Sequence, residues 1–158
     1  MKRDNMFNSI HYGRGFTCII KHVILVSSLF LSSTARADIA VIVNADRQDV
    51  KLGRNQIQQI FLGIKNTLPN GTKVSPIDLS QDTNVRELFY KIVADRSPVE
   101  MHSYWARQIF TGRGYPPEVL PTQNAVISKV ASDKDAIGYV NASSVVGNVK
   151  VALLIPTQ

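Results

Sequence analysis

Pro76-Ile77-Asp78-Leu79-Ser80-Gln81-Asp82-Thr83-Asn84-Val85-Arg86-Glu87-Leu88-Phe89 reads as the end of a strand, a short polar loop and the start of a helix. Past the loop, Val85, Leu88, Phe89, Ile92 and Val93 recur at i, i+3, i+4, i+7 and i+8, a single apolar helical stripe. Arg86, Glu87 and Lys91 fall off that stripe, with Glu87 and Lys91 in the favourable i, i+4 order. Ser80, Asp82 and Thr83 are all competent N-cap residues. A helix that starts just after a strand presents unpaired N–H groups and the positive end of its dipole, a place that suits an anion. The plainer alternative is that Ser80 or Asp82 caps its own helix.

Outward from this stretch, strands and helices alternate. Ile39-Ala40-Val41-Ile42-Val43 is a β-branched run with no polar face, which predicts a fully buried, parallel strand flanked on both sides. Ile57, Ile60 and Phe61 predict a short helix capped by Asn55 and ended by Gly63. Residues 73–79 predict a second strand, for which Pro76 argues an edge or irregular position. The helix after Thr83 runs to about Asp95. Ser97-Pro98-Val99-Glu100 opens another, with a capping box and proline at the first helical position; its buried stripe is Met101, Tyr104, Trp105 and Ile109. Residues 111–117 form a turn-rich loop. Thr122 caps a helix whose Val126, Ile127 and Val130 point inward, and strands follow at 136–140 and 148–155. The expected fold class is α/β, a layered domain with a mostly parallel sheet.

The first residues read as an address. Lys2, Arg3, Arg14 and Lys21 precede the short apolar run Val23–Leu31, and Ala35-Arg36-Ala37 meets the small-x-small cleavage rule. The uncharged run is far below the roughly 20 residues that span a bilayer. Residues 1–37 are therefore expected to be a signal peptide and residues 38–158 one secreted, periplasmic domain, without stable membrane insertion after cleavage. The chain's single cysteine, Cys18, lies in that leader, so the domain rests on its apolar core rather than on disulfides. Of the net charge of +6, +4 sits in the leader, carried by Lys2, Arg3, Arg14, Lys21 and Arg36 against Asp4. The remainder is no dense basic stripe, and nucleic-acid binding is not expected. His102 is the one histidine after the leader and has no His or Cys at ligand spacing, so neither a metal site nor a cofactor is expected. No Gly-x-Ser-x-Gly elbow is present, and no catalytic residues are assigned.

Several segments together resemble the periplasmic phosphate-binding proteins of ABC transporters. Ile57-Gln58-Gln59-Ile60-Phe61-Leu62-Gly63-Ile64-Lys65 is similar to that family's I-F/Y-x-G-K segment. The Asn70-Gly71 turn, the strand to Leu79, the helix opening at Ser80, Tyr104-Trp105, Phe110-x-Gly112 and Ala136-Ile137-Gly138-Tyr139-Val140 follow in the family's order. The resemblance implies one lobe of a type-2 periplasmic-binding fold and a non-enzymatic role. Aligned on Phe89, the family's anion loop Arg-Ser-Asp-Gly-Ser-Gly-Thr falls on Leu79 to Val85. Thr83 keeps the hydroxyl of the helix-start serine, and Leu79 stands in place of the arginine. The implied ligand-binding residues are Ser80, Gln81, Asp82, Thr83, Asn84 and Arg86, the ligand phosphate or another oxyanion, and the partner an ABC permease. A second class stays open: a ligand-free interaction or sensory module that kept the fold and meets an envelope sensor protein. Mass analysis of the envelope-purified protein is expected to find its N-terminus at or near Asp38; an intact leader in the mature protein would refute the secretion reading.

Overall fold

The computed structural model describes residues 38–48, 51–80 and 83–157. The expected leader lies outside the described residues. Five strands and four α-helices alternate along the described chain: β1 Ile39–Asn44, α1 Arg54–Phe61, β2 Ser75–Leu79, α2 Asn84–Ala94, α3 Pro98–Phe110, β3 Glu118–Leu120, α4 Gln123–Ser132, β4 Ala136–Asn141 and β5 Val149–Ile155. A 3-10 turn at Ala142–Ser144 separates β4 from β5.

The strands form one sheet in the order β3-β2-β4-β1-β5. β2 runs parallel to both β3 and β4, whereas β1 runs antiparallel to both β4 and β5. Four strands thus point one way and β1 opposes them, which makes the sheet mostly parallel in direction. β1 is flanked on both sides and its residues Ile39–Val43 are fully buried, as the β-branched run requires. Its expected parallel pairing is wrong. An apolar run reports burial on two faces, and either ladder direction supplies that burial.

Pro76 does not mark an edge. β2 lies between β3 and β4, with Pro76 in register with Ile137. Proline is tolerated here because β3 joins β2 only from Ile77 onward, so no ladder bond is asked of the missing N–H. The edge on this side of the sheet is β3, which the sequence did not reveal. It has three residues, and Glu118 and Val119 are exposed.

Helix boundaries follow local chemistry. The Ser97–Glu100 capping box forms as expected: the Glu100 carboxylate accepts from the Ser97 N–H at 2.7 Å, and the Ser97 hydroxyl accepts from the Glu100 N–H at 3.3 Å. Thr122 caps α4 by accepting from the Ala125 N–H at 3.2 Å. Gly63, with φ +67, occupies the left-handed position after α1. The start of α1 differs, with Gly53 rather than Asn55 as N-cap and Gln56 Oε1 accepting from the Gly53 N–H at 2.8 Å. Ile109 was expected on the buried stripe of α3 but is 49% exposed; Met101 and Trp105 carry the burial of that helix.

Packing ties the layers together. Phe89 of α2 stacks on Tyr139 of β4 at 3.8 Å, and Phe61 of α1 meets Phe89 edge-on at 4.8 Å. Gly138 of β4 lets α4 approach closely, since a Cβ there would lie 2.5 Å from Val126 Cγ1. The buried Asn44 carboxamide, at the end of β1, donates to the Val130 and Ala131 carbonyls near the end of α4. Val41→Asp would leave an unpaired carboxylate in the middle of the sheet and is expected to cost at least about 3 kcal/mol in denaturant unfolding; wild-type stability would contradict the central position of β1.

Candidate functional site

The carboxyl ends of β2, β3 and β4 and the starts of α2 and α4 meet on one edge of the sheet. The Ser80 N–H donates to the Leu120 carbonyl at 3.0 Å, which binds the end of β2 to the end of β3. Asn141, ending β4, donates its N–H to Gln123 Oε1 in the first turn of α4 at 2.6 Å. In open α/β sheets this edge is where ligands gather, because strands deliver loops and helix N-termini there.

Helix α2 starts differently from α3 and α4. Thr83 is its N-cap residue, but the Thr83 hydroxyl does not cap the helix. It donates instead to the Ser80 carbonyl at 3.0 Å. The first intrahelical bonds come from the Arg86 and Glu87 N–H groups to the Thr83 carbonyl, at 3.0 and 3.3 Å. The N–H groups of Asn84 and Val85 precede the first intrahelical bonds, as at any helix start.

Beneath this turn lies a buried polar cluster. Asp78, 2% exposed, is the penultimate residue of β2. Its Oδ2 accepts from Arg86 Nε at 3.1 Å and from the Tyr90 hydroxyl at 3.0 Å. Its Oδ1 accepts from the Tyr139 hydroxyl and from the Leu79 N–H. The Arg86 guanidinium also lies 5.0 Å from the centre of the Tyr90 ring. Burial, followed by the neighbouring Asp78 charge, pushes the hydroxyl pKa values of both Tyr90 and Tyr139 well above their ordinary 10.0.

This cluster turns α2 from its expected orientation. Val85, Arg86, Phe89, Tyr90 and Val93 are buried, whereas Leu88 is 39% exposed and Ile92 is partly buried. The apolar stripe predicted Leu88 inward and Arg86 outward. The buried carboxylate of Asp78 demands a cation, and the helix rotates to supply one.

Ser80 and Thr83 are half-buried and Asn84 is exposed, and these three candidates meet at the edge. Arg86 faces inward and is bound to Asp78. Gln81 and Asp82 lie outside the described residues. Asp78, Tyr90 and Tyr139 were missed as members of the cluster. Their one sequence signal was a carboxylate inside the otherwise apolar strand end Ile77–Leu79, which must find a partner when buried. His102 is exposed, and among the described residues no group of three His, Cys, Asp or Glu could hold a metal ion. A cleft of ≈ 410 Å³ opens at the other end of β2, lined by Ser75, Pro76, Trp105, Tyr115 and Glu118 among others.

No protein-family model matches the chain, and no curated protein matches it. Its fold is nevertheless shared with substrate-binding proteins of phosphate ABC transporters. A protein from Clostridium perfringens assigned to that class, crystallised with bound phosphate, superposes at a TM-score of 0.58 with 18% identity, over 73% of this chain and 44% of its own. An ABC-type phosphate transport receptor from Vibrio cholerae gives 0.57 with 17% identity, over 73% and 46%. PstS from Borrelia burgdorferi gives 0.50 with 13% identity, over 68% and 42%. The chain thus has the fold of part of a solute-binding protein and spans less than half the length of these structures. The first two are described as a substrate-binding protein and a transport receptor.

The raised tyrosine pKa values set a pH dependence. Below pH 10 both tyrosines are protonated in the folded and unfolded chain. Above it the unfolded hydroxyls ionise while the buried ones resist, so stability falls, by up to about 1.4 kcal/mol per pH unit for each tyrosine. Tyr139→Phe is expected to flatten this alkaline slope in denaturant unfolding; equal slopes would show that the Tyr139 hydroxyl ionises freely in the fold.

Proposed function

We propose that this chain is a secreted solute-binding domain that holds a phosphate-class oxyanion at the start of α2. The domain comprises residues 38–158 after removal of the leader and works in the periplasm beside an ABC permease. The observation that carries this reading lies at the N-cap of α2, where the Thr83 hydroxyl turns to the Ser80 carbonyl instead of capping the helix. The dipole's positive end lies there, and the Thr83 hydroxyl, its proton given to the Ser80 carbonyl, ties the loop to the helix start. The bound phosphate of the Clostridium perfringens neighbour supports the choice of ligand class. Gln81 and Asp82 belong to the same loop and complete the proposed ligand set.

One observation favours a second reading, an interaction or sensory module that kept the fold and meets an envelope protein. Arg86, the cation in the first turn of α2, is already paired with Asp78. An oxyanion at this edge therefore meets dipoles and hydroxyls rather than a bidentate guanidinium, and its contacts are correspondingly weaker.

Calorimetry separates the two readings. Phosphate binding is expected at roughly millimolar strength, about 4 kcal/mol. Thr83→Ala should abolish it. Arg113→Ala should leave it unchanged, because Arg113 follows α3 and precedes the amino end of β3, away from the carboxyl edge. Micromolar binding that survives Thr83→Ala would place the site in another loop, and no heat with any oxyanion would favour the interaction module.

A further inference from the structure

We infer that the cleft at the amino end of β2 is a ligand site in its own right, separate from the α2 start, and that it takes a small carboxylate carried on a flat apolar ring. Pro116 and Pro117 have no N–H to offer β2, and the β2–β3 ladder first pairs Ile77 with Glu118. The cleft beside that first pair measures ≈ 410 Å³ and is walled by Trp105, Tyr115 and the two prolines. A space of this size, with aromatic and apolar walls and a few polar groups, suits a small molecule.

Trp105 is the wall that the fold leaves incomplete. It is 7% exposed, and its indole N–H is buried without a hydrogen-bond partner. A buried donor without an acceptor costs stability that an arriving acceptor returns. The ring is held in place. Tyr104 packs edge-on against it at 5.0 Å while donating its hydroxyl to the Leu62 carbonyl at 2.7 Å. Cη2 and Cζ3 of the indole lie against Gly63, where a Cβ would come within 3.1 Å of Cη2. That contact occupies the benzo end of the ring system; the N–H sits on the pyrrole end. Lys65, just past Gly63, lines the same cleft, is exposed and makes no ion pair among the described residues. The one carboxylate in the cleft, Glu118, has Lys129 at 4.0 Å. An unanswered cation and an unanswered N–H in one cleft call for an anionic acceptor. The indole, the prolines and Tyr115, whose ring is 80% exposed and available for stacking, suit a flat apolar body.

Trp105 is the chain's only tryptophan, so its fluorescence reports on this cleft alone. Titration of the protein with phenylacetate is expected to change that emission saturably. Phenylacetamide keeps the ring and an acceptor but not the charge, and should bind about fivefold more weakly, the scale of one partly exposed ion pair. Acetate lacks the ring and should give no saturable change. Lys65→Gln, at an exposed position, should bring phenylacetate down to the level of phenylacetamide. In calorimetry, Trp105→Phe keeps an aromatic wall, removes the N–H and should lower phenylacetate affinity about tenfold, the scale of a hydrogen bond to a charged acceptor. No saturable response to phenylacetate overturns the site. Acetate binding as tightly as phenylacetate overturns the ring. Phenylacetamide binding as tightly as phenylacetate, or a Lys65→Gln protein that still prefers the acid, overturns the carboxylate. Unchanged affinity in Trp105→Phe overturns the role of the indole N–H. Should Trp105→Phe fail to fold, the acid-to-amide ratio and Lys65→Gln still decide.

Discussion

Asp78 is a carboxylate in the core, and three elements are arranged around its demand for partners. An unpaired buried charge costs far more than one hydrogen bond returns. Arg86 and Tyr90 answer from α2, and Tyr139 answers from β4. These contacts decide which face of α2 turns inward. The aromatic rings that carry the hydroxyls do double work. Tyr139 stacks on Phe89, so its apolar body fills the layer between sheet and helix while its polar tip reaches the carboxylate.

Around that cluster the sheet is organised by β1, which fills the position between β4 and β5 against the direction of the other strands. Its neighbours bring their carboxyl ends to the opposite end of the sheet from its own. β1 therefore contributes burial without crowding the edge where β2, β3 and β4 deliver their loops. Its own end is secured by Asn44, whose carboxamide satisfies two carbonyls at the close of α4. The carboxyl ends of β2, β3 and β4 are thereby gathered at one end of the sheet.

The likeness to the Clostridium perfringens and Vibrio cholerae proteins is one of fold, at 18% and 17% identity and over less than half of their length. The chemistry at the corresponding loop is this chain's own. Leu79 stands where the resemblance implies an arginine, and the guanidinium that lies nearby comes from the helix, already paired.

Much of the fold was legible locally. The buried run at β1, the Ser97–Glu100 capping box, the Thr122 cap, the left-handed Gly63 and the alternation of strand and helix all depend on residues within a few positions of one another. Such interactions are written in sequence because their partners are neighbours in the chain. What the sequence alone left undetermined depends on distant partners. The direction of β1 is decided by β4 and β5, about a hundred residues later. β3 is too short to show a period and exists because β2 has an edge to offer. The inward turn of Arg86 is decided by Asp78, whose other partner, Tyr139, is separated from it by 61 positions. Helical periodicity counts apolar side chains and so chose Leu88; the tertiary structure chose Arg86, because a buried charge outweighs one leucine.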